Sequence, residues 1–253
     1  MQHAQTAAGV RIGLKEEAQI IGGKNAFDHI GKAMDVIPPD ALAAAVMRHA
    51  ERGKIPEGEH GNDVLLTARG ERDAVEAGKI MRGGISRILH SPVPRCRQTA
   101  DGLRRGGGSG SVPEEWLGLR CDIYVSNFEV AETTLSRLVS EKDFYDHFIK
   151  RMSECGDKIP YPGFSPPFSA TVELMKGIIG SRRRGLCVGI THDWLVNVAV
   201  SYATGRIVSR ADDSYANYLD ALFIWKADSC WMYYHKGRIR KCPISFTSFI
   251  ERQ

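Results

Sequence analysis

Two histidines and two arginines stand at or just beyond the ends of apolar segments, in positions where their side chains could act on one substrate. Arg48 and His49 directly follow an apolar run, Arg95 comes shortly after a second apolar segment, and His192 follows a third. A buried strand that ends in charged residues places them at the carboxyl edge of a sheet, where open α/β folds build their sites. We therefore expect these four side chains to share one pocket.

These residue types suit the transfer of a phosphoryl group. The planar guanidinium group of arginine binds phosphate oxygens and neutralises the charge on them. A neutral imidazole keeps a lone pair on one ring nitrogen and can attack phosphorus directly. A single strand-end histidine is more often structural, and arginines mostly lie in solvent, so the conjunction at one edge carries the prediction.

An alternation of apolar segments and helical patterns predicts the elements that position these residues. Strands are predicted at 41–47, 87–90, 116–124 and 185–190, and an antiparallel hairpin at the sheet edge at 221–226 and 230–235. Helices are predicted at 25–36, from Thr67 to Met81, from Pro94 to about 105, across 132–155, around 172–175 up to the basic run 182–184, and after Asp193. Alternating strands and helices favour an α/β fold, a three-layer sandwich with a mostly parallel central sheet flanked by helices, an antiparallel edge strand and a helical insertion.

The chain of 253 residues, 43% apolar and 25% charged, is long enough for one domain with a large core. We interpret residues 1–40 as an N-terminal extension and residues 41–253 as the α/β domain. The helical insertion around 125–168 is a candidate lid, and the glycine-rich stretch 106–111 is interpreted as a surface connector.

Composition and motif spacing exclude several classes of function. The net charge of +4 suits anionic substrates but falls short of a dedicated nucleic-acid binder. No apolar run approaches the roughly 20 residues needed to span a membrane, and the first residues lack a secretion signal, so we expect a cytoplasmic protein. Six cysteines without a CxxC pair and eight histidines without an HExxH set predict neither a metal nor a cofactor.

Four segments together resemble the histidine phosphatase superfamily, which has phosphoglycerate mutase-like and histidine acid phosphatase-like branches. They are VMRHAER at 46–52, LTARG at 66–70, SPVPRCRQTA at 91–100 and ITHD at 190–193, and they occur in the order typical of that family. The RH pair is unspecific alone, whereas RH with SPxxRxxQT and a later TH is a specific combination.

The resemblance implies a role for each residue of the predicted pocket. His49 would be the nucleophile and form a phosphohistidine that water hydrolyses, while Arg48, Arg95 and His192 would hold the phosphoryl oxygens. Arg52 matches the second arginine of an RHxxR pattern and is a further candidate phosphate ligand, with a salt-bridging loop residue as the equally weighted alternative.

Four nearby residues are expected to support the site rather than to catalyse. Thr67 is a candidate N-cap, and Gly70 allows close backbone approach at the helix start. Gln98 and Thr99 are expected to orient the segment that carries Arg95 through hydrogen bonds.

The general acid is where the sequence departs from the mutase-like pattern. In that branch a glutamate follows the third strand, but the first glutamate after the predicted strand here is Glu129. In the phytase-like branch an aspartate directly follows the second histidine, and Asp193 has that position. We expect Asp193 to protonate the leaving oxygen with a pKa raised by burial and by the anionic substrate, against the opposing pull of the neighbouring arginines. Asp122 and Glu129 remain alternatives.

The resemblance thus predicts a phosphoric monoester hydrolase that acts on a phosphorylated small molecule or a phosphoprotein. Mutase-like members usually read RHGxSxxN at the first motif, and Ala50, Arg52 and Ile55 break that pattern, so hydrolysis is favoured over phosphoglycerate mutase-like phosphotransfer. A catalytically silent phosphate-binding or interaction protein is the other alternative, against which the retention of both histidines and the arginines argues. The oligomeric state is left open.

Overall fold

The computed structural model describes residues 19–20, 25–56, 61–81, 83–107, 114–118, 121–138, 143–180, 184–211 and 213–251. In chain order the elements are β1 (Gln19–Ile20), α1 (Ala26–Val36), β2 (Leu42–Arg48), α2 (Ala68–Ile80), β3 (Ile85–His90), α3 (Pro94–Gly107), β4 (Glu114–Gly118), a 3-10 helix (Cys121–Tyr124), α4 (Phe128–Leu138), α5 (Phe144–Glu154), α6 (Pro167–Ile179), β5 (Gly185–Thr191), α7 (Asp193–Thr204), β6 (Ala221–Ala227), β7 (Cys230–His235), β8 (Arg238–Lys241) and α8 (Ile244–Glu251).

The strands form one sheet in the order β1-β8-β7-β6-β2-β5-β3-β4. The pairs β2–β5, β5–β3 and β3–β4 are parallel, whereas β6 pairs with β2 in the antiparallel sense, as do β7, β8 and β1 with their neighbours. The sheet therefore changes from parallel to antiparallel pairing at β2, the strand that ends in Arg48.

The alternation of side chains along β2 divides the core into two layers. Ala44 and Val46 pack on one face with α5, α6, α7 and α8, while Ala43, Ala45 and Met47 pack on the other with α1, α2 and α3. The expected three-layer α/β sandwich with a buried parallel strand at its centre is confirmed.

Close backbone contact joins α2 to α3. A Cβ atom placed on Gly78 would collide with the carbonyl of Leu103, and one placed on Gly106 would collide with the carbonyl of Val75. Gly106 and Gly107 are the last residues of α3, so the predicted connector at 106–111 starts too early, because helix packing uses the absence of a side chain there. Residues 108–111 of that connector lie outside the described residues.

Several other element boundaries differ from the predicted ones. The predicted strand 116–124 is a short strand followed by the 3-10 helix, because the Tyr124 ring turns into the core, where its hydroxyl bonds to Thr171 Oγ1 at 2.7 Å. The helical region 132–155 is two helices, and the first begins earlier because Asn127 Oδ1 accepts a hydrogen bond from the N–H of Val130. Helix α6 ends at Ile179, with Gly180 as its C-cap, ahead of the basic run, of which 182 and 183 lie outside the described residues.

The hairpin of β6 and β7 is confirmed, but its predicted place at the edge is wrong, because β8 and β1 extend the sheet beyond it. Helix α1 buries Ile30 and Ala33 in the core that α2 and α3 share, and Asn25 caps it, with Oδ1 accepting from the N–H of Asp28 at 3.0 Å. The domain boundary at residue 40 stays a prediction. Within the described part of the chain, no helix has the length and apolarity to cross a membrane.

Candidate active site

The carboxyl ends of the parallel strands bring together the side chains that the sequence singles out. His49 follows β2, its N–H donating to Thr191 O at 2.9 Å, and His192 follows β5. Arg95 lies in the first turn of α3, next to the end of β3. The two imidazole rings are 5.5 Å apart between centroids, with an interplanar angle of 68°.

His49 is buried, with 3% of its surface exposed, and both of its ring nitrogens have defined partners. Nδ1 lies 2.7 Å from Ala50 O, and because a carbonyl only accepts, Nδ1 carries the proton. Nε2 accepts a hydrogen bond from Arg95 Nε at 3.1 Å. Burial, together with the positive charges nearby, lowers the pKa of His49 to about 3, although the Ala50 carbonyl opposes the shift. His49 is therefore a neutral imidazole whose Nε2 lone pair faces the pocket.

His192 is neutral for the same physical reasons. Its Nδ1 lies 3.2 Å from Arg95 Nη2, which only donates, so the proton is on Nε2, which lies 3.2 Å from Ser91 Oγ. Burial is the largest cause that lowers the pKa of His192 to about 4, followed by the charge of Arg95. Asp193 opposes the shift.

Arg95 connects the two histidines and is itself buried. Besides its contacts to His49 and His192, it donates from Nη1 to Gly61 O at 2.6 Å. Thr99 supports this turn, since its Oγ1 donates to Arg95 O at 2.8 Å and accepts from the N–H of Ala50 at 3.1 Å. The expected supporting role of Thr99 is thus seen in its contacts to both the arginine turn and the segment after His49.

Arg48 points to the other side of the pocket. Its Nη1 donates to Ala216 O at 2.9 Å, its Nη2 forms an ion pair with Asp193 Oδ2 at 3.1 Å, and its guanidinium carbon lies 4.3 Å from the centroid of the Tyr218 ring. Arg48 Nε is buried without a hydrogen-bond partner among the described residues. This arginine is therefore held at the site by contacts that leave part of its donor capacity unused.

Asp193 is the first residue of α7, and its carboxylate accepts several hydrogen bonds. Oδ1 accepts from the N–H of Trp194 at 2.8 Å, and Oδ2 accepts from the hydroxyl of Tyr215 at 3.2 Å. Burial raises the pKa of Asp193, but Arg48 and these hydrogen bonds outweigh it, so that the pKa lies below its ordinary value. The structure thus shows a lowered pKa rather than the raised one expected beside an anionic substrate, because the ion pair with Arg48 and these hydrogen bonds together outweigh burial.

The remaining predicted residues lie at varying distances from this centre. Arg52 donates to the carbonyl of Gly53 at 2.8 Å, and its charge contributes to the lowered pKa of His192. Glu129 is exposed on the first turn of α4, and the side chain of Asp122 lies outside the described residues.

The two ends of the segment between the first motif and α2 are fixed as the sequence indicates. Thr67 Oγ1 accepts from the N–H of Gly70 at 3.0 Å and donates to Glu51 Oε1 at 2.9 Å. A Cβ atom on Gly70 would collide with the carbonyl of Glu51. Gln98 Oε1 accepts from the N–H of Leu66 at 2.9 Å. These contacts link α2 and α3 to the loop behind the pocket.

Three residues at the site were missed by the sequence reasoning. Ser91 binds His192, and Tyr215 binds Asp193. Tyr218 packs against Arg48 and against His49, with 5.8 Å between the His49 and Tyr218 ring centroids. Ser91 lies inside the SPxxR segment and could have been singled out, whereas nothing in the sequence around Tyr215 and Tyr218 indicates that these two side chains reach the site. In the described part of the chain, no group of three or more histidine, cysteine, aspartate or glutamate residues is placed to hold a metal ion.

The family model of the histidine phosphatase superfamily (branch 1) matches residues 45–151, which include His49 and Arg95. The match covers less than half of the chain and supports its similarity to the histidine phosphatase superfamily. This confirms the resemblance found in the motifs, and no curated protein sequence matches the chain.

Three solved structures are similar to this chain. YhfR of Bacillus stearothermophilus shares 15% identity with a TM-score of 0.50, over 83% of this chain and 99% of that chain. A phosphoglycerate mutase from Bacillus anthracis shares 12% identity with a TM-score of 0.49, over 84% and 97%. A phosphoserine phosphatase from Entamoeba histolytica, in complex with 3-phosphoglyceric acid, shares 14% identity with a TM-score of 0.47, over 74% and 98%. At these identities the likeness to YhfR shows the fold alone.

Proposed function

We propose that this protein hydrolyses phosphomonoesters through a phosphohistidine intermediate on His49. The observation that carries the proposal is the neutral His49 imidazole, with its Nδ1 proton bound by Ala50 O and its Nε2 lone pair facing Arg95. A nucleophile must present an unprotonated nitrogen to phosphorus, and burial among positive charges keeps it unprotonated. The surrounding cations would stabilise the transferring group.

The reaction would proceed in two displacements. In the first, the Nε2 lone pair of His49 forms a bond to phosphorus while the bond from phosphorus to the ester oxygen breaks, and that oxygen takes a proton from the general acid. In the second, water attacks phosphorus, the phosphorus–nitrogen bond breaks, and the water proton passes to the carboxylate formed in the first step. Phosphate and the regenerated imidazole are the products.

Arg48, Arg95, His192 and Arg52 would bind the phosphoryl oxygens in this proposal. Arg95 contacts both imidazoles through Nε and Nη2. A phosphoryl oxygen that lies between the imidazoles would replace these two contacts with charge-assisted hydrogen bonds from Arg95. Arg48 has an unpartnered Nε among the described residues and would turn part of its fork to the substrate. His192 would bind oxygen as a donor once the dianion favours its protonation.

Asp193 is proposed as the general acid, acting after the substrate has changed its surroundings. Burial is the largest influence on the pKa of Asp193 and raises it, while the largest opposing influence is the charge of Arg48. A phosphoryl dianion that draws Arg48 away would weaken the ion pair and add negative charge nearby. Both changes raise the pKa of Asp193 and allow it to carry a proton to the leaving oxygen.

Hydrolysis is proposed ahead of mutase-like phosphotransfer because the first motif lacks the RHGxSxxN pattern of mutase-like members. We propose a phosphorylated small molecule or a phosphoprotein as substrate. A screen of phosphorylated metabolites with the purified protein would name the substrate class. Exchange of phosphate between two phosphoglycerate positions without release of phosphate would favour the mutase instead.

The nucleophile is tested with p-nitrophenyl phosphate and the variant His49→Ala. The variant should lose about a thousandfold or more in kcat, because the first displacement has no other nucleophile. Radiolabelled phosphate should remain on the wild-type protein under alkaline conditions and be released in acid. The matched control is His147→Ala, an exposed histidine on α5. Full activity of His49→Ala, or an unlabelled wild-type protein, would contradict the proposal.

The acid is tested by comparing good and poor leaving groups. Asp193→Asn should depress the hydrolysis of alkyl phosphates far more than that of nitrophenyl phosphates, since only the former need a proton to leave. Glu129→Gln is the control, because Glu129 is exposed on α4. An unchanged alkyl phosphate rate in Asp193→Asn, or a leaving-group effect in Glu129→Gln, would remove Asp193 from the role.

A further inference from the structure

The loop of residues 214–220, here called the site loop, holds one half of the pocket in place. Ala216 O accepts from Arg48 Nη1 at 2.9 Å, and the Tyr218 ring lies 4.3 Å from the Arg48 guanidinium carbon. Tyr215 donates its hydroxyl hydrogen bond to Asp193 at 3.2 Å. The position of Arg48 and Asp193 therefore depends on where this loop lies.

His235, at the end of β7, contacts the backbone at both ends of the site loop, at its first residue, Ser214, and at Ala221, which directly follows its last residue. Its Nε2 lies 2.9 Å from Ser214 O, and its Nδ1 lies 3.1 Å from Ala221 O. Carbonyl oxygens accept hydrogen bonds and never donate them, whereas a neutral imidazole has only one N–H group. Only the doubly protonated imidazolium can bind both carbonyls, and in the neutral form one of them faces a lone pair.

We propose that His235 is a positioning residue for the active site, tying both ends of the site loop to β7 when both ring nitrogens carry protons and releasing one end when one proton is lost. The consequence is a hold on Arg48 and Asp193 that weakens as the pH rises. The effect on turnover rests on the proposed function, in which Arg48 binds the phosphoryl group and Asp193 is the general acid. The two protonation states of His235 are a property of the fold itself.

The charges around His235 are arranged so that its protonation can change. Asp220, buried in the site loop, favours the imidazolium, while the neighbouring Lys236 disfavours it. Lys236 in turn contacts Asp220 Oδ2 at 3.2 Å and Asp213 Oδ1 at 3.3 Å, and His29 faces the same group of charges from α1.

Burial is the largest influence on the pKa of His235 and decides the direction of its shift. Burial lowers the pKa of His235, the carbonyls of Ser214 and Ala221 raise it, and the net change is downward. The second proton is therefore present in acid and lost as the pH rises toward neutrality. In acid, His235 therefore donates hydrogen bonds to both carbonyls and holds both ends of the site loop. At higher pH it donates to one carbonyl and holds one end.

Two substitutions separate this role from a merely structural one. His235→Asn places an amide donor near the Nδ1 position, and His235→Gln places one near the Nε2 position, so each keeps one carbonyl contact and neither titrates. The measurement is the ratio of variant to wild-type kcat/KM for p-nitrophenyl phosphate across pH, since titrations common to both proteins cancel in the ratio.

In acid, we expect the kcat/KM of each variant to be about tenfold below that of the wild type, because the variant lacks one hydrogen bond from a charged group. As the pH rises and His235 of the wild type loses its second proton, the ratio should approach one. His147→Asn, exposed on α5, is the matched control and should give a ratio that does not change with pH. A pH-independent ratio for both His235 variants would overturn the proposal.

A second measurement does not depend on activity or on variants that fold. In ¹H–¹⁵N correlation spectra of the wild-type histidine rings, His235 should show two protonated nitrogens in acid and one at higher pH. A single neutral tautomer over the whole range in which the protein stays folded would overturn the proposal. If the wild type shows no phosphatase activity, the proposed function fails, while these spectra still decide the protonation of His235.

Discussion

The buried site histidines should make the fold less stable in acid, and replacing His49 should remove a measurable part of that loss. The pKa of His49 is lowered from 6.5 to about 3, chiefly by burial. As the pH falls through this window, the unfolded chain takes up a proton on this residue while the folded protein does not. The contribution is absent above about pH 6.5 and destabilises the fold increasingly below it.

The size of the effect follows from the pKa values. One pKa unit corresponds to about 1.4 kcal/mol. Between about pH 7 and about pH 5, an unfolded histidine becomes almost fully protonated and folded His49 does not, which lowers the free energy of unfolding by about 2 kcal/mol. His192, with a pKa lowered to about 4, should contribute a similar amount. Such a loss is a large fraction of the roughly 5–15 kcal/mol that stabilises a typical domain.

Urea unfolding followed by circular dichroism at both pH values measures the effect. The difference in unfolding free energy between the two pH values should shrink by about 2 kcal/mol in His49→Asn relative to the wild type. His147→Asn, exposed on α5, is the control and should follow the wild type. If His49→Asn loses stability in acid as steeply as the wild type, folded His49 is protonated like an ordinary histidine and the argument for a neutral nucleophile in acid fails.

Three further substitutions, the first with a control variant on α6, test the packing around the pocket by thermal or urea unfolding and by activity. Gly70→Ala should destabilise the fold by about 2 kcal/mol or more because its Cβ would collide with backbone, while Gly177→Ala on α6, where no atom lies within 4 Å, should be neutral or stabilising; equal effects would contradict this. Thr99→Val should cost about 1–3 kcal/mol because it leaves the N–H of Ala50 without its acceptor, and a neutral result would indicate that water replaces it. Tyr218→Leu should raise KM for phosphate esters severalfold by removing the ring beneath the site arginine, and an unchanged KM would show that the ring does not position it.

The fold could be predicted wherever the sequence pattern is local. Runs of apolar residues predicted the buried strands, and Thr67 marked a helix start because its side-chain oxygen binds a free N–H group of the first turn. The boundary near Tyr124 could not be predicted, since a tyrosine side chain that turns into the core depends on a partner, Thr171, that is far away in the sequence. The extra strands β1 and β8 are too short to give a pattern of their own.

The candidate site shows the same division between local and distant causes. That Arg48, His49, Arg95 and His192 meet follows from strand ends at one edge of a parallel sheet, which the sequence reveals. The pairing of Arg48 with Asp193 could not be deduced, because it depends on side-chain directions around the first turn of α7. For that reason the sequence could not show which of the opposing influences on the pKa of Asp193 prevails.

The change of pairing at β2 divides the pocket into a half beside the parallel strands and a half beside the site loop. On the parallel side, the ladder between β2, β5 and β3 sets His49 and His192. On the antiparallel side, Arg48 and Asp193 rely on the site loop, whose Leu219 adopts a left-handed φ of 64°. Because the proposed acid lies in the second half, small changes there should alter the response to the leaving group before they alter attack at phosphorus.

Tyr215→Phe tests this division directly. The hydroxyl of Tyr215 donates to Asp193 Oδ2 and helps to lower the pKa of that carboxyl, so its removal should raise that pKa. Activity toward alkyl phosphates should then extend to higher pH by up to about one unit, the equivalent of one hydrogen bond, whereas hydrolysis of nitrophenyl phosphates should change little. The pH profiles of kcat/KM for both substrates measure the shift. A shift toward lower pH, or an equal shift for both substrates, would mean that Asp193 acts on the phosphoryl group rather than on the leaving oxygen.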